Sequence, residues 1–538
     1  MSSGSTLHPR RPSLRPEAIA VASWLRSRLA SGAHLRTDSR SVMPGDAFFG
    51  WPGHLADGRA FVDDARARGA AALVVDDVPP APEPASDLYR VAGLRELAGE
   101  IAASWHGEPA SKIQLIAVTG TNGKTSCSQW IAQGLARAGR RAAVIGTLGS
   151  GLLDEQGSSE LASFGLTMPD ALTLHALLAD YVAQGASCLV MEASSIGLDQ
   201  ARLSGAQPAV AVFTNLSRDH LDYHGSEEAY AQAKLRLFQM PGLAAAVLNA
   251  NDALSVRAQA VLAAGCRTIA YGEKPTRLHA AGIEHLFADR ITEQADRLTL
   301  VIEGDWGRAQ VDLPLLGRFN AINALAVLGA WLAAGVSFDH AIAQLGMLRP
   351  VVGRLQRIDP AETAHVTEAG SGQPCVVIDY AHTPDALKQA LIALQPVASA
   401  RGGRLWCVFG AGGDRDAGKR LLMGAAASAY ADHLVLTSDN PRSEDPLAII
   451  AAIQVGLSRA PDLVEPDRSA AIGQALASAA PEDVVLIAGK GHEQTQEIAG
   501  RQIPFSDADE ARRALMARRA GVSLAASTAR IGSGARRA

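Results

Sequence analysis

The chain has 538 residues, 20% of them charged, with a formal net charge of −5 at pH 7. That length predicts about three domains at ~100–200 residues each, and the absence of a long basic block before the far C-terminus argues against a nucleic-acid partner, leaving small molecules as the expected ones. The five cysteines, Cys127, Cys188, Cys266, Cys375 and Cys407, lie scattered without a CxxC pair, which suits a reducing cytoplasm and excludes a disulfide framework or zinc site.

Residues 1–18 are rich in Ser, Pro and Arg and lack the sustained apolar run of a secretory signal, so they read as a flexible N-terminus. Across 19–110, helical, turn and strand patterns follow one another and close on a helix-like 94–104, which predicts a first domain. A second domain is predicted over 111–349. There a strand at 113–118 leads through a glycine-rich turn into a helix at 127–140. Strands at 142–146, 188–191, 210–214 and 244–249 then alternate with helices at 172–184 and 227–238, as in a mostly parallel sheet wrapped by helices. The longest apolar stretch, 324–336, is shorter than the ~20 residues that span a bilayer. It reads as a buried helix, and no membrane insertion is expected. A third, doubly wound domain is predicted over 350–520, with strands at 376–378, 405–409, 434–437 and 484–487. Residues 521–538 are Ala, Ser, Gly and Arg without periodicity and read as a disordered tail. The fold class is therefore α/β with three domains.

The turn from Val118 to Ser126 reads VTGTNGKTS, a glycine-rich loop ending in Lys-Thr between strand and helix. Such a loop presents backbone N–H groups of Gly120, Thr121, Asn122 and Gly123 to a polyphosphate. Lys124 reaches the β- and γ-phosphates, and Thr125, followed by Ser126, holds Mg²⁺. Val118 replaces the first glycine of the general GxxxxGK[ST] pattern, so the match is to the tighter TGTNGKT form. Glu192 follows a predicted strand, at the end where α/β sheets hold ligands, and can complete a magnesium shell begun by Thr125. The next predicted strand ends in a loop carrying Asp219, His220, Asp222 and His224. Such a cluster suits a second metal or a proton relay, and equally a loop capped by its own hydrogen bonds.

Taken together, GTNGKTS, MEASS at 191–195, FTNLSRDHLDYHG at 213–225, AKLRLF at 233–238, LGRFNAIN at 316–323, DYAHTPD at 379–385, GAGGDRD at 410–416 and DNPR at 439–442 resemble the Mur ligase family. The likeness runs in order from about residue 37 to 493. It implies an ATP-dependent amide ligase with an N-terminal uridine-nucleotide domain, a central ATPase domain and a Rossmann-like C-terminal domain for the incoming amino acid. ATP would convert a carboxylate to an acyl phosphate, which an amine then attacks, with Mg²⁺ and fixed cations stabilising the charge.

The resemblance also assigns residues. It makes Lys124, Lys234 and His220 catalytic. One magnesium falls to Thr125 and Glu192, the other to His220 and a carbamylated Lys234. By sequence alone Lys234 is an ordinary solvated helix lysine. Asn320 and Asn323 correspond to adenine contacts, where helix N-capping is the bland alternative. Arg354, Asp379 and His382 fall where the C-terminal domain closes over the nucleotide, or where an interdomain salt bridge would stand. Ser39, His54, Leu55 and Ala56 lie in segments like those that bind the uridine nucleotide. Thr167, Met168, Ser194, Gln200 and Arg202 match positions holding a muramoyl-dipeptide substrate, although Met168 and Ile196 depart from the common threonine and histidine. Arg415, Asp439, Asn440, Pro441, Arg442, Gly489 and Glu493 match a site for meso-diaminopimelate, whose distal carboxylate suits the planar fork of Arg442. The same likeness implies a cytoplasmic enzyme of peptidoglycan precursor synthesis, and a monomer is expected. The competing readings are a phosphate-loop ATPase driving a conformational switch, or a ligase of the same kind with another substrate.

Overall fold

The structure is a computed structural model that describes residues 13–54, 56–76, 81–82, 87–157, 160–162, 165–274, 277–278, 282–358 and 372–520. Leu55, most of the predicted flexible N-terminus and the predicted tail at 521–538 lie outside these. Helix Pro16–Arg26 begins inside the stretch read as flexible. Proline at its first position and Ala18, Val21, Ala22 and Leu25 at helical spacing explain it, since all four are buried against the first domain's sheet.

Three α/β domains follow one another. The first carries a five-stranded sheet in the spatial order Leu35–Arg36, Ala47–Gly50, Ala72–Val75, Leu88–Arg90, Ala81–Pro82. The central domain is built on a ten-stranded sheet. Its order is Gly307–Leu313, Leu298–Gly304, Ile283–Glu293, Arg267–Glu273, Ala245–Asn249, Val210–Phe213, Gln114–Thr119, Cys188–Glu192, Ala142–Gly146, Gly149–Leu152. All pairings from Ile283–Glu293 to Ala142–Gly146 are parallel. Strands in that position are covered on both faces, and Gln114–Thr119 is buried at every residue after Gln114.

Helix Arg318–Ala333 contains most of the predicted buried segment, with thirteen of its residues buried. It crosses helix Lys124–Arg137 at Gly134, where a Cβ would collide with the Trp331 ring. The Trp331 indole N–H donates to the Ile131 carbonyl at 3.0 Å, so the polar edge of this large core residue is satisfied.

The central domain also differs from expectation. The strands from Arg267 to Leu313 were not foreseen, yet Leu298, Leu300 and Ile302 are buried in strict alternation with half-buried neighbours, the period-2 signal of a strand with one wet face. The segment predicted as one helix over 227–238 is an α-helix, Glu227–Leu235, that tightens into a 3₁₀ turn, Arg236–Gln239.

The C-terminal domain has a six-stranded sheet ordered Gln356–Ile358, Cys375–Asp379, Val484–Ala488, Leu405–Phe409, His433–Leu436, Leu463–Val464. A separate hairpin, Thr495–Ile498 with Arg501–Pro504, lies beyond the predicted elements. Arg468 and Asp507 form a fully buried bidentate pair at 2.7 Å, and the same guanidinium donates to the carbonyls of Ser438 and Ala488. It thus ties two strand ends to the helix Asp507–Arg519, at the rim where the third domain's loops gather.

Candidate active site

The phosphate loop leaves strand Gln114–Thr119 beside strand Val210–Phe213, where the chain's progress through the sheet reverses direction, the usual ligand crevice of an open α/β sheet. Gly123 takes φ +84° at the N-cap of helix Lys124–Arg137, a conformation suited to glycine. The Thr121 N–H donates to the Asn215 carbonyl at 2.8 Å and the Asn122 N–H to the Asn215 side chain at 3.0 Å. Thr214 and Asn215 both donate back to the Asn122 carbonyl. These bonds fix the loop, while helix geometry leaves the N–H groups of the first turn for an anion.

The loop opens on a cavity of about 400 Å³ lined also by Glu192, His220, Lys234, Asn320, Asn323, Arg354, Asp379 and His382. Asn320 donates to the Leu316 carbonyl at 2.9 Å and accepts from Asn323 at 3.3 Å, and the helix cap is Gly317. Neither asparagine caps the helix. Both are instead available as buried polar groups of the cavity wall. Arg354 crosses from the third domain to donate to the Thr125 hydroxyl at 3.0 Å and stacks 4.5 Å over Tyr380. Asp379 accepts from the Leu355 N–H at 2.7 Å, and burial pushes its carboxyl up to about 6 against the pull of Arg354.

Thr125 donates to Glu192 at 3.1 Å, and Glu192 is further held by the backbone N–H (2.7 Å) and hydroxyl (3.1 Å) of Thr147. Lys124 folds onto the carbonyls of Gly120 (3.0 Å) and Thr121 (2.8 Å). Lys234 is not a solvated lysine: it is 1% exposed. Its ammonium donates to the Gly120 carbonyl at 2.7 Å and lies 4.3 Å over the Tyr230 ring. Burial and the neighbouring Lys124 charge bring its basicity well below the ordinary value.

His220 sits at φ +53°, uncommon for a non-glycine residue and consistent with a strained functional loop. Burial lowers its imidazole to about 4, against the opposing field of Asp219. Asp219 lies between His220 (3.4 Å) and His382 (3.8 Å). Burial works against its charge, but the facing His382 and His220 rings and the nearby Lys419 win, holding the carboxyl well below its usual range. Asp219, His220, Tyr380 and His382 also line a second cavity of about 270 Å³.

That second cavity gathers Arg415, Asp439, Asn440, Arg442, Gly489 and Glu493 from the C-terminal domain, with Asp222 and Ile196 from the central one. Pro441 shapes the turn without lining it. Arg442 has φ +52°. Its N–H donates to the Glu497 carbonyl (3.1 Å), its guanidinium donates to the Gly413 carbonyl (2.7 Å), and Nε lies 3.3 Å from the Glu497 carboxylate. Arg218 and Asp416 pair at 3.2 Å across the domain boundary.

Of the residues matched to the muramoyl peptide, Thr167 and Ser194 line the first cavity. Met168, Gln200 and Arg202 form a layer behind it. Arg202 forks onto Gln200 and donates to the Met168 carbonyl at 2.7 Å, while the buried Met168 sulfur sits 3.1 Å from the Ser194 N–H. Methionine here is a packing residue facing Ser194. Ser39 is buried in a 3₁₀ turn capped by Asp38, the Ala56 carbonyl accepts from Gly53 N–H, and the exposed His54 packs edge-on against Tyr223 at 4.6 Å between ring centroids. These three lie outside both cavities. Thr147, Tyr230 and Tyr380 were missed by the sequence reading. Only Tyr230 carried a signal, standing four residues before Lys234 on one helix face.

A phosphate loop opening into a cavity that adjoins a second, charged cavity in a separate doubly wound domain defines a multidomain nucleotide-dependent enzyme. The chain belongs to the Mur ligase family: residues 33–106 match the model of the Mur ligase family, catalytic domain; 118–331 that of the Mur ligase middle domain; and 363–491 that of the Mur ligase, glutamate ligase domain. It is 47% identical over 509 residues to the UDP-N-acetylmuramoyl-L-alanyl-D-glutamate--2,6-diaminopimelate ligase of Ralstonia nicotianae, covering 93% of this chain and 96% of that one. The protein of the same name from Pseudomonas aeruginosa is 45% identical over 489 residues, covering 90% and 95%. Among solved structures, one of a ligase with this name superposes with a TM-score of 0.61 at 36% identity, over 90% of this chain and 95% of that one. The MurF ligase of Thermotoga maritima in complex with ADP gives 0.62 at 18% identity, over 91% and 99%, a likeness of fold.

Proposed function

We propose that this chain adds meso-2,6-diaminopimelate to UDP-N-acetylmuramoyl-L-alanyl-D-glutamate at the expense of ATP, in cytoplasmic peptidoglycan precursor synthesis, acting as a monomer. The observation that carries this reading is the shared wall of the two cavities, where Asp219, His220, Tyr380 and His382 face both. A carboxylate is a poor electrophile until phosphorylated. A loop that binds phosphates must therefore adjoin the pocket that delivers the amine, and water must be kept out between the two steps.

The roles follow the chemistry of each group. The N–H groups from Gly123 to Ser126 and the Lys124 ammonium hold the triphosphate on a loop whose Thr121 and Asn122 N–H groups are tied to Asn215, Asn320 and Asn323 meet the adenine, and Arg354, Asp379 and His382 close on the nucleotide from the third domain. Thr125 and Glu192, already hydrogen-bonded to each other, fit one Mg²⁺ that would neutralise phosphate charge. His220 and Lys234 fit a second only if Lys234 carries a carbamate, since an ammonium cannot ligate a cation. Its low basicity favours the free amine, whose nitrogen adds to the carbon of CO₂ and releases one proton, so that a neutral amine becomes an anion. Ser39, His54, Leu55 and Ala56 hold the uridine nucleotide, and Thr167, Met168, Ser194, Gln200 and Arg202 position the peptide. Arg415, Asp439, Asn440, Pro441, Arg442, Gly489 and Glu493 form the diaminopimelate site. The domains accordingly run 19–110 for the nucleotide-sugar substrate, 111–349 for ATP and 350–520 for the amino acid.

Hydroxylamine tests the acyl-phosphate step directly. With ATP, Mg²⁺ and the nucleotide dipeptide but no amino acid, the γ-glutamyl hydroxamate is expected. ADP release without hydroxamate would favour an ATPase switch.

A further inference from the structure

Behind the second cavity lies a buried cation that none of the roles above uses. Lys490 is 0% exposed along its side chain. It donates to the Glu493 carboxylate at 2.7 Å and to the Asn440 side-chain carbonyl at 2.8 Å. Asn440 in turn donates its NH₂ to the same Glu493 oxygen, Oε2, at 2.9 Å. Glu493 and Asn440 line the cavity and Lys490 does not. The three groups close a hydrogen-bonded ring that occupies one Glu493 oxygen and, among the described residues, leaves Oε1 without a protein donor. Arg442 is backed in the same way by Glu497, which also stands outside the lining.

A lysine is buried only where pairing offsets its desolvation. Here the pairing also sets what the pocket can bind. An uncompensated Glu493 would attract any side-chain ammonium. Backed by Lys490, it offers a hydrogen-bond acceptor with little net charge, so tight binding requires a second interaction, a carboxylate on the Arg442 fork. We infer that Lys490 is the specificity-positioning residue of the amino-acid pocket: by fixing Glu493 and cancelling its charge, it makes the pocket select a zwitterionic far end over a bare ammonium. The inference rests on the amino-acid role proposed for this cavity.

The test compares full-length K490M, E493Q, K490M/E493Q and R442A for kcat and KM with meso-diaminopimelate and with L-lysine. K490M is expected to raise KM for diaminopimelate about tenfold, with kcat within about twofold and KM for ATP unmoved. The ratio of kcat/KM for diaminopimelate over lysine should fall at least tenfold. In K490M/E493Q the anion is gone as well, and the relative gain for lysine should vanish. A purely structural staple would instead lower kcat with both amino acids alike, leave their ratio unchanged and move KM for ATP, and that overturns the inference. If R442A and E493Q leave KM for diaminopimelate unchanged, the cavity is not the amino-acid site, and the proposed site assignment falls together with the inference. Should K490M fail to fold, K490Q keeps a donor to Asn440 without the charge and gives the same comparison.

Discussion

His175 makes the joint between the first and central domains sensitive to acid. It lies on helix Ala171–Ala183, fully buried, with Nε2 2.9 Å from the Ser204 carbonyl and Nδ1 without a hydrogen-bond partner among the described residues. Ser204 is itself part of the joint: its hydroxyl donates to the Glu96 carbonyl at 2.5 Å, and Gly99 packs so close that a Cβ would strike the Ser204 carbonyl. Burial, reinforced by His106, lowers the His175 imidazole to about 4 from an unfolded value near 6.5. Because the folded value is the lower one, the native state prefers the neutral ring. Stability is intact above pH ~6.5 and is lost as the pH falls toward ~4. At ~1.36 kcal/mol per unit, the loss is about 2 kcal/mol at pH 5 and about 3 kcal/mol at pH 4. Three domains do not unfold as one unit, so the assay is hydrogen exchange read by mass spectrometry over 94–105 and 171–205, at several pH values and corrected for intrinsic rates. Wild type should lose about that much protection between pH 7 and pH 5, and His175→Gln should lose markedly less. Parallel pH profiles in the two proteins would refute the argument.

Other consequences can be checked independently. Lys234→Ala should lower kcat by a factor on the order of 10²–10³, the range for a lost electrostatic stabiliser. Added formate should recover at least about tenfold, because a small carboxylate can replace the carbamate; no recovery would count against that modification. Asp507→Ala leaves Arg468 charged and unpaired in the core, and should destabilise the C-terminal domain by about 3–5 kcal/mol in urea unfolding followed there; a change below about 1 kcal/mol would show the pair to be dispensable. Gly123→Ala combines φ +84° with a Cβ 2.7 Å from the Asn323 side-chain oxygen. At about 1–2 kcal/mol of strain, it should raise KM for ATP roughly tenfold and leave KM for the amino acid alone, whereas an unchanged KM for ATP would mean that the loop accommodates a side chain.

The α/β class and the phosphate loop were legible because parallel strands buried on both faces read as apolar runs and the glycine turn has a fixed place between strand and helix. The three strands from Ile283 to Leu313 were overlooked despite the alternation of Leu298, Leu300 and Ile302, since one face is wet and the runs are weakly apolar. Lys234 shows the sharper limit. Its spacing on helix Glu227–Leu235 sets Tyr230 on the same face but does not reveal the Gly120 carbonyl that completes the enclosure, because that carbonyl comes from a strand end more than one hundred residues earlier. Thr147 is of the same kind: it meets Glu192 only because strands Ala142–Gly146 and Cys188–Glu192 run side by side. Motif residues could be named from sequence, whereas the residues that orient them, Thr147, Tyr380 and Lys490, are fixed by topology.

A ligation reaction reads the proposed activity itself. The purified chain is given ATP, Mg²⁺ and UDP-N-acetylmuramoyl-L-alanyl-D-glutamate with either meso-diaminopimelate or L-lysine, and product mass and ADP release are followed together. A tripeptide product and stoichiometric ADP are expected with diaminopimelate, and little of either with lysine. ADP release indifferent to the amino acid, or a preference for lysine, would contradict the proposed activity.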